Sequence, residues 1–300
     1  MAFRKPARRG PVKGASTGKD AAKPPVEHEA PVSWSDLLQA VVEKPGIVSE
    51  SYRRFHNYSM GNGLLVMWQC LGRGLEVGPV AAYGRWQELG RQVRKGEKAL
   101  LINMPRPAKF WETDKETGEK KQRQFMRFIY KPAVFVYAQT DPIEGKEDKS
   151  DQLSRLPEDW SVERAMSALD VTFGPFNDTN GNCLGFFNPE TRTLALNPMG
   201  DHPERTLLHE LAHSILHPEG YAASPRAVCE LEAEATAMLV AYSLGLGGAD
   251  ESRGYCQSWM KRGNVTEITD TVARRIFKTA QTILEAGQPV KARQEEQEAA

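Results

Sequence analysis

Residues 203–220 read PERTLLHELAHSILHPEG, and this stretch restricts the chain more than any other. Leu207, Leu208, Leu211, Ile215 and Leu216 recur at helical spacing and predict one amphipathic helix. Asp201 and Glu204 make a D-x-x-E start of capping-box type, with Pro203 tolerated in the first turn. Pro218 and Gly220 must end the helix. His209 and His213 then stand at i and i+4 on one face, where both imidazoles can turn to one ion. Glu210 is placed to reach a water on that ion rather than to bind it, the position of a general base in a zinc hydrolase.

Such a site needs a third protein ligand and an open position. The next segment, SPRAVCELEAEATAMLVAYSLG, predicts a helix with Ser224 as cap and Pro225 as its first residue. Glu230 and Glu234 share a face that borders apolar positions, while Glu232 points elsewhere. Carboxylates on a core-facing side are costly unless paired or metal-bound. Glu230 is therefore the expected third ligand, and Glu234 the acceptor that holds a histidine N–H, as metal-bound imidazoles usually require. His217, at i+8, is the rival third ligand. It abuts Pro218, and three imidazoles along a straight helix diverge from one ion, which suits a capping or outer position better. A His₂Glu set fits Zn²⁺, and Mn²⁺ or Co²⁺ can occupy the same ligands. His217, Tyr221, Arg253 and Tyr255 are unranked candidates for an oxyanion donor, and the strand around Leu194–Leu196 could offer its edge to an extended peptide.

The formal net charge of the 300 residues is zero, but its distribution is uneven. Residues 1–131 hold 24 Lys/Arg against 13 Asp/Glu, and residues 132–300 hold 15 against 26. A basic half joined to an acidic half points to a polyanion met by one half only. Cys70, Cys183, Cys229 and Cys256 include no C-x-x-C pair, so neither a metal knuckle nor a disulfide framework is expected, in keeping with a reducing cytoplasm. No apolar run is long enough to span a bilayer, and the start lacks the apolar core of a secretory signal.

The composition divides the chain into a disordered basic arm (1–30), a small α+β domain (31–140), a polar linker (141–157), a second domain (158–287) and a disordered tail (288–300). In the first domain the pattern predicts a helix capped by Ser33 or Ser35, another from Met60 to Leu71, and a short one around Trp86. Strands are expected at 99–103 and at the start of FWETDKETGEKKQRQFMRFIYKPAVFVYAQT, which continues as a charged hairpin loop and a strand pair around 127–130 and 133–137. Between residues 52 and 98, Tyr52, Phe55, Tyr58, Trp68, Tyr83 and Trp86 interleave with eight Lys and Arg residues. Single-stranded nucleic acid is held by this kind of pairing, cations tracking phosphates and rings stacking on bases. The competing reading makes most of these rings core, with Trp68, Trp86 and Phe55 inside.

The blocks YRRFHNYSMGNGLLVMWQ, YGRWQELGRQVRKGEKALLI, GFFNPETRTLALNP, HELAH and CELEAEATA, taken together from about Trp34 to Leu246, resemble plasmid-borne antirestriction proteins of the ArdC type. The resemblance implies a single-stranded-DNA-binding α+β domain joined to a C-terminal zincin-like metallopeptidase domain, a gluzincin-type core of helices on a sheet. It implies His209, His213 and Glu230 as metal ligands, Glu210 as catalytic base, and Glu234 with His217 around them. It further implies help for incoming DNA against host restriction during conjugation, in the cytoplasm of the recipient. DNA contacts carry over only as a region. Within it we expect Tyr52, Arg53, Arg54, Asn57, Tyr58, Asn62, Arg73, Arg91, Arg94, Lys95 and Lys98, with duplex DNA bound more weakly than single strands. The protein substrate would be unknown, a host restriction component being one candidate. Two other readings stay open: a non-proteolytic protein that coats single strands around a structural metal site, and a housekeeping protease localised by DNA.

Overall fold

A computed structural model describes residues 31–44, 46–113, 120–154, 160–178, 183–220, 225–262 and 268–289. The expected basic arm, most of the expected tail, Tyr221 and Ser224 lie outside the described residues. The chain is mixed α+β. It opens with three helices, α1 (Trp34–Glu43), α2 (Gly46–Phe55) and α3 (Met60–Gly72). Ser33 Oγ accepts from the Asp36 N–H and Ser59 Oγ from the Asn62 N–H, so each hydroxyl satisfies an orphan donor of its helix. Helix α2 is not apparent from composition, because its inward residues Val48, Ser51 and Phe55 are set among polar and basic neighbours.

Then follow β1 (Val80–Ala82), α4 (Tyr83–Glu88), β2 (Arg91–Val93), β3 (Leu100–Thr113), β4 (Lys120–Val136) and β5 (Thr140–Pro142). One antiparallel sheet has the order β1-β4-β3, and β2 pairs with β5. The two strands expected at 127–130 and 133–137 are one strand, with its irregularity absorbed at a register shift beside Leu100/Leu101. The strands expected at 99–103 and from Phe110 are likewise one, β3, which pairs with β4 out to Thr113↔Lys120. Neither face of this outer stretch is buried, so the alternation that marks a half-buried strand is missing from KKQRQFMRF. Part of the expected linker is also built in. β5 closes on β2, and Arg91, 4% exposed, donates to Asp148 and to the Thr140 hydroxyl and carbonyl.

The rest comprises α5 (Val162–Ala168), β6 (Thr172–Phe173), β7 (Gly185–Asn188), β8 (Thr193–Leu196), α6 (Pro203–Leu216), α7 (Arg226–Leu244), α8 (Ala249–Arg262) and α9 (Asp270–Ala286). The strand order is β6-β8-β7. β8 is therefore the middle strand, and the edges belong to β6 and β7, not to Leu194–Leu196. The D-x-x-E box does not cap α6: His202 is the N-cap, with left-handed backbone at φ 55° and no side-chain cap bond. Pro225 stands at the N-cap of α7 rather than inside it.

A single apolar cluster joins α1–α3 to α6, α7 and α9. The Trp34 and Phe277 rings lie 5.9 Å apart, the Met60 N–H donates to Gln281 Oε1 at 2.8 Å, and Ser49 Oγ donates to the Tyr242 carbonyl at 2.8 Å. The opposite side of α2 and α3 packs on the first sheet through Phe55, Val66, Met67 and Cys70 against Val80, Leu100, Ile102, Val134 and Val136. Two carboxamides of α3 also close the outer edge of β3. Gln69 Oε1 accepts from Leu101 N–H at 2.8 Å while its Nε2 donates to Leu101 O at 2.8 Å; Asn62 does the same to Asn103 at 2.8 and 3.1 Å. Asn62 and Gln69 are seven residues apart, two helical turns, and so serve as a two-rung substitute strand.

Candidate metal centre

Helix α6 and the start of α7 bring together His209, His213 and Glu230, whose ligand atoms all lie within 4.8 Å of one another. The two histidine Nε2 atoms are 3.0 Å apart, and Glu230 Oε2 is 3.4 Å from the first and 3.7 Å from the second. A tetrahedral ion with bonds of about 2.0–2.2 Å spaces its ligand atoms about 3.3–3.6 Å apart. The three separations bracket that range, and shifts of a few tenths of an ångström fit the triangle to such an ion. Its chemistry, two imidazoles and one carboxylate, suits a divalent cation of the zinc or manganese kind.

Each histidine is held from behind by α7. His209 Nδ1 lies 2.8 Å from Glu234 Oε2, and the other oxygen of Glu234 accepts from Arg205 Nε at 3.0 Å. His213 turns its Nδ1 to His217 Nδ1 at 2.9 Å; His217 Nε2 meets Glu232 Oε2 at 3.0 Å, and Arg275 meets the other Glu232 oxygen at 3.2 Å. His217 thus sits on the far edge of the His213 ring from the ligand triangle. It is the C-cap residue of α6, at the outer position its spacing suggested. Glu232, which the helical pattern turned away from the site, is 0% exposed and anchors that second chain.

Burial would by itself lower the pKa of His209, but Glu230 and Glu234 raise it to about 10. Glu230, opposed by its own desolvation, is held below the ordinary carboxylate range by the two histidines. Burial lowers the pKa of His213. Glu210 is 8% exposed, and burial first, then the charges of Glu230 and Glu234, push it up to about 7 against the pull of His209 and of the Phe187 backbone hydrogen bond. That contact places the open edge of β7 beside Glu210. Among the oxyanion candidates, His217 is committed to Glu232, Tyr255 is half exposed with the Arg205 guanidinium 4.6 Å from its ring centre, and the Arg253 Nε lies 3.8 Å from Asp250.

The residues expected to touch DNA are scattered. Arg53, Asn57, Lys95 and Lys98 are exposed, and Arg94 is exposed but tied to Glu97, Asp141 and the Ala138 carbonyl. Arg54 pairs with Glu50, and Arg73 donates to the Lys98 and Ala99 carbonyls. Arg91 and Asn62 are structural, through the contacts given above. Tyr52 is half-buried against the main core, and Tyr58 is buried enough to raise its pKa to about 12. Of the three rings read as core, Phe55 and Trp86 are buried but Trp68 is 39% exposed. Phe110, Trp111, Phe125 and Phe128 form a further exposed group of rings, and their segment, FWETDKETGEKKQRQFMRF, carries the same basic-aromatic interleaving as residues 52–98.

Fold and site together define a mixed α+β protein with a His–His–Glu group of metal-ligand type. Residues 34–135 match the family described as the N-terminal domain of anti-restriction factor ArdC. Two crystal structures of the antirestriction ArdC protein from the R388 plasmid are similar over 88% of this chain and 97% of theirs. The metal-free one has 21% identity and a TM-score of 0.44, the Mn(II)-bound one 18% and 0.43. No curated protein sequence matches. Among the described residues, no helix is long and apolar enough to cross a membrane.

Proposed function

We propose that this is an ArdC-type antirestriction protein of a conjugative plasmid, in which residues 31–140 bind single-stranded DNA and residues 158–287 form a zincin-like metallopeptidase. The observation that carries the peptidase reading is the ligand triangle of His209, His213 and Glu230, with His209 backed by Glu234 and His213 backed through His217 by Glu232. The group would hold Zn²⁺, with Mn²⁺ or Co²⁺ able to take its place, and when bound it supplies a Lewis acid for a peptide carbonyl and for water. Glu210, buried and close to neutral in pKa, takes the proton of the attacking water and returns it to the leaving amine. The open edge of β7 gives an extended peptide a strand to pair with next to that carboxylate. The substrate is a protein met on or near DNA, a host restriction component being the candidate of choice, with single strands preferred over duplex.

The test is metal analysis of the purified protein, followed by transfer of plasmid DNA into a restricting recipient. Wild type is expected to retain about one zinc or manganese per chain. Glu210→Gln should keep the metal and lose protection of the incoming DNA. Full protection by Glu210→Gln, with loss on neutralising basic residues of 31–140, would replace the peptidase reading by one in which the protein coats single strands.

A further inference from the structure

Beyond Asn103, strands β3 and β4 leave the body of the protein as a two-stranded arm, paired from Met104↔Ile129 to Thr113↔Lys120. Nine or ten residues at about 3.3 Å each give it a reach of about 30 Å. Its strands carry six Lys/Arg and one acidic residue, Glu112, which pairs with Arg123. Residues directly opposite in an antiparallel pair share a face. The register therefore puts Arg106 and Arg127, Ala108 and Phe125, and Phe110 and Arg123 on one face. The Phe110 and Phe125 rings meet there edge to face with centroids 5.6 Å apart, both nearly half exposed, between arginines on either side. The other face carries Phe128, Met126 and Trp111 with Lys109 as its one cation between Pro105 and Trp111.

Two features decide what this arm is for. Leu101 and Asn103 turn their N–H groups outward to α3, so Pro105 and Pro107, at the same parity, stand where the next outward N–H groups would be. The β3 edge is thus blunted against pairing with another strand, and on that side the arm offers side chains rather than backbone. Six cations also oppose stacking of the arm on a second copy of itself. A ring pair framed by guanidinium groups is complementary to a flexible polyanion that exposes flat bases, since cations track phosphates while rings receive bases.

We infer that the face of the arm formed by Phe110 and Phe125 between Arg106, Arg123 and Arg127 is a seat for single-stranded nucleic acid, separate from the basic residues of 52–98. The inference rests on the reading of the chain as a single-strand binder and names the surface that does the binding. Unpaired bases stack on the two rings and the arginines hold the flanking phosphates.

Fluorescence anisotropy of a labelled oligodeoxythymidylate, titrated with the full-length protein at several salt concentrations, tests it. Phe110→Ala with Phe125→Ala should weaken binding about tenfold or more, from the loss of base stacking. Arg106→Gln with Arg127→Gln should flatten the salt dependence by about 0.7 in log–log slope per arginine. Phe128→Ser, on the opposite face, should bind within about twofold of wild type. All these residues are exposed, so unchanged thermal unfolding shows that the fold is intact, and the arginine pair reads the seat independently of the ring pair. Wild-type binding with no loss in either pair places the seat elsewhere and leaves the single-strand reading standing. A wild-type protein that binds no oligonucleotide but does bind anionic lipid vesicles overturns both. Duplex of equal length bound as tightly, and weakened by the same factor, overturns stacking on unpaired bases.

Discussion

Glu234 Oε2 stands 2.8 Å from His209 Nδ1 while its other oxygen receives Arg205, itself buried beside the Ser252 hydroxyl. The carboxylate thereby fixes which nitrogen of His209 faces the ligand triangle. Its own burial would raise its pKa, but His209 and Arg205 hold it below the ordinary range. Glu234→Gln keeps the shape and loses the charge. Outer partners of metal-bound histidines are typically worth a factor of 10–100 in affinity. Zinc affinity of Glu234→Gln, measured by competition with a chromophoric chelator, is expected to fall by about that factor. Affinity equal to wild type would remove Glu234 from the support of the site.

His213 is supported at one remove, through His217 to Glu232. If that chain orients the ring, His217→Ala should weaken zinc binding about as much as Glu232→Gln, and the double variant should cost little more than either. Residues in one network couple in this way, whereas independent supports add. A strictly additive double variant, read in the same competition titration, would show two separate effects.

Much of this centre could be read from spacing. His209 and His213 at i and i+4, and Glu230 and Glu234 likewise, are periodic signals, and periodicity survives folding. Glu232 could not be read that way. Its value comes from His217 and Arg275, fifteen residues before it and forty-three after it, and a helical pattern contains no information about those partners. The arm is legible in sequence as a hairpin but not in its length. With neither face buried, β3 and β4 past Asn103 lack the alternation that burial imposes, so each long strand reads as shorter pieces. Asn62 and Arg91 look like surface polar groups in sequence, and only their partners on β3 and β5 show them to be structural.

Asn62 and Gln69 therefore make a stability prediction, at Asn62 in place of the DNA contact that the sequence suggests. Each carboxamide satisfies one N–H and one C=O of the β3 edge, and truncating it leaves those groups to water or unpaired. Asn62→Ala is expected to cost about 1–3 kcal/mol in urea unfolding, the range for a lost buried partner. Oligonucleotide affinity measured on the folded protein should stay within about twofold. A large loss of DNA affinity at unchanged stability would reverse the assignment.

Asp148 and Arg91 give a pH dependence. Although burial opposes it, hydrogen bonds from Ser150 and the Arg91 guanidinium hold the Asp148 carboxyl below its usual range. A depressed folded-state pKa contributes stability above the unfolded value, near 4, and that contribution is lost as the pH falls through the folded value. Asp148→Asn should then be less stable than wild type at neutral pH, and the gap should close as the pH drops below about 4. Urea midpoints compared between pH 7 and pH 3 check this; a gap of constant size would mean that the charge of Asp148 is not what holds Arg91.

Gly185 sets how closely β7 approaches α6. A Cβ there would sit 2.7 Å from Thr206 Cγ2 and 2.9 Å from the Ala195 carbonyl oxygen, both tighter than real contacts allow. One neighbour is the methyl of a side chain on α6, and the other is backbone of the paired strand, which cannot move without opening the sheet. Gly185→Ala is expected to cost about 1–3 kcal/mol, the usual range for overpacking a filled site. Adding Thr206→Ser removes the methyl but not the carbonyl, so it should recover only part of the loss. The ligands stand on α6 and α7, and zinc affinity should be nearly unchanged. Glu210 depends on β7 through Phe187, two residues along the strand, so peptide hydrolysis should fall more than stability at the assay temperature explains. Stability lost with hydrolysis per folded molecule intact would show that the spacing of β7 from α6 serves packing alone.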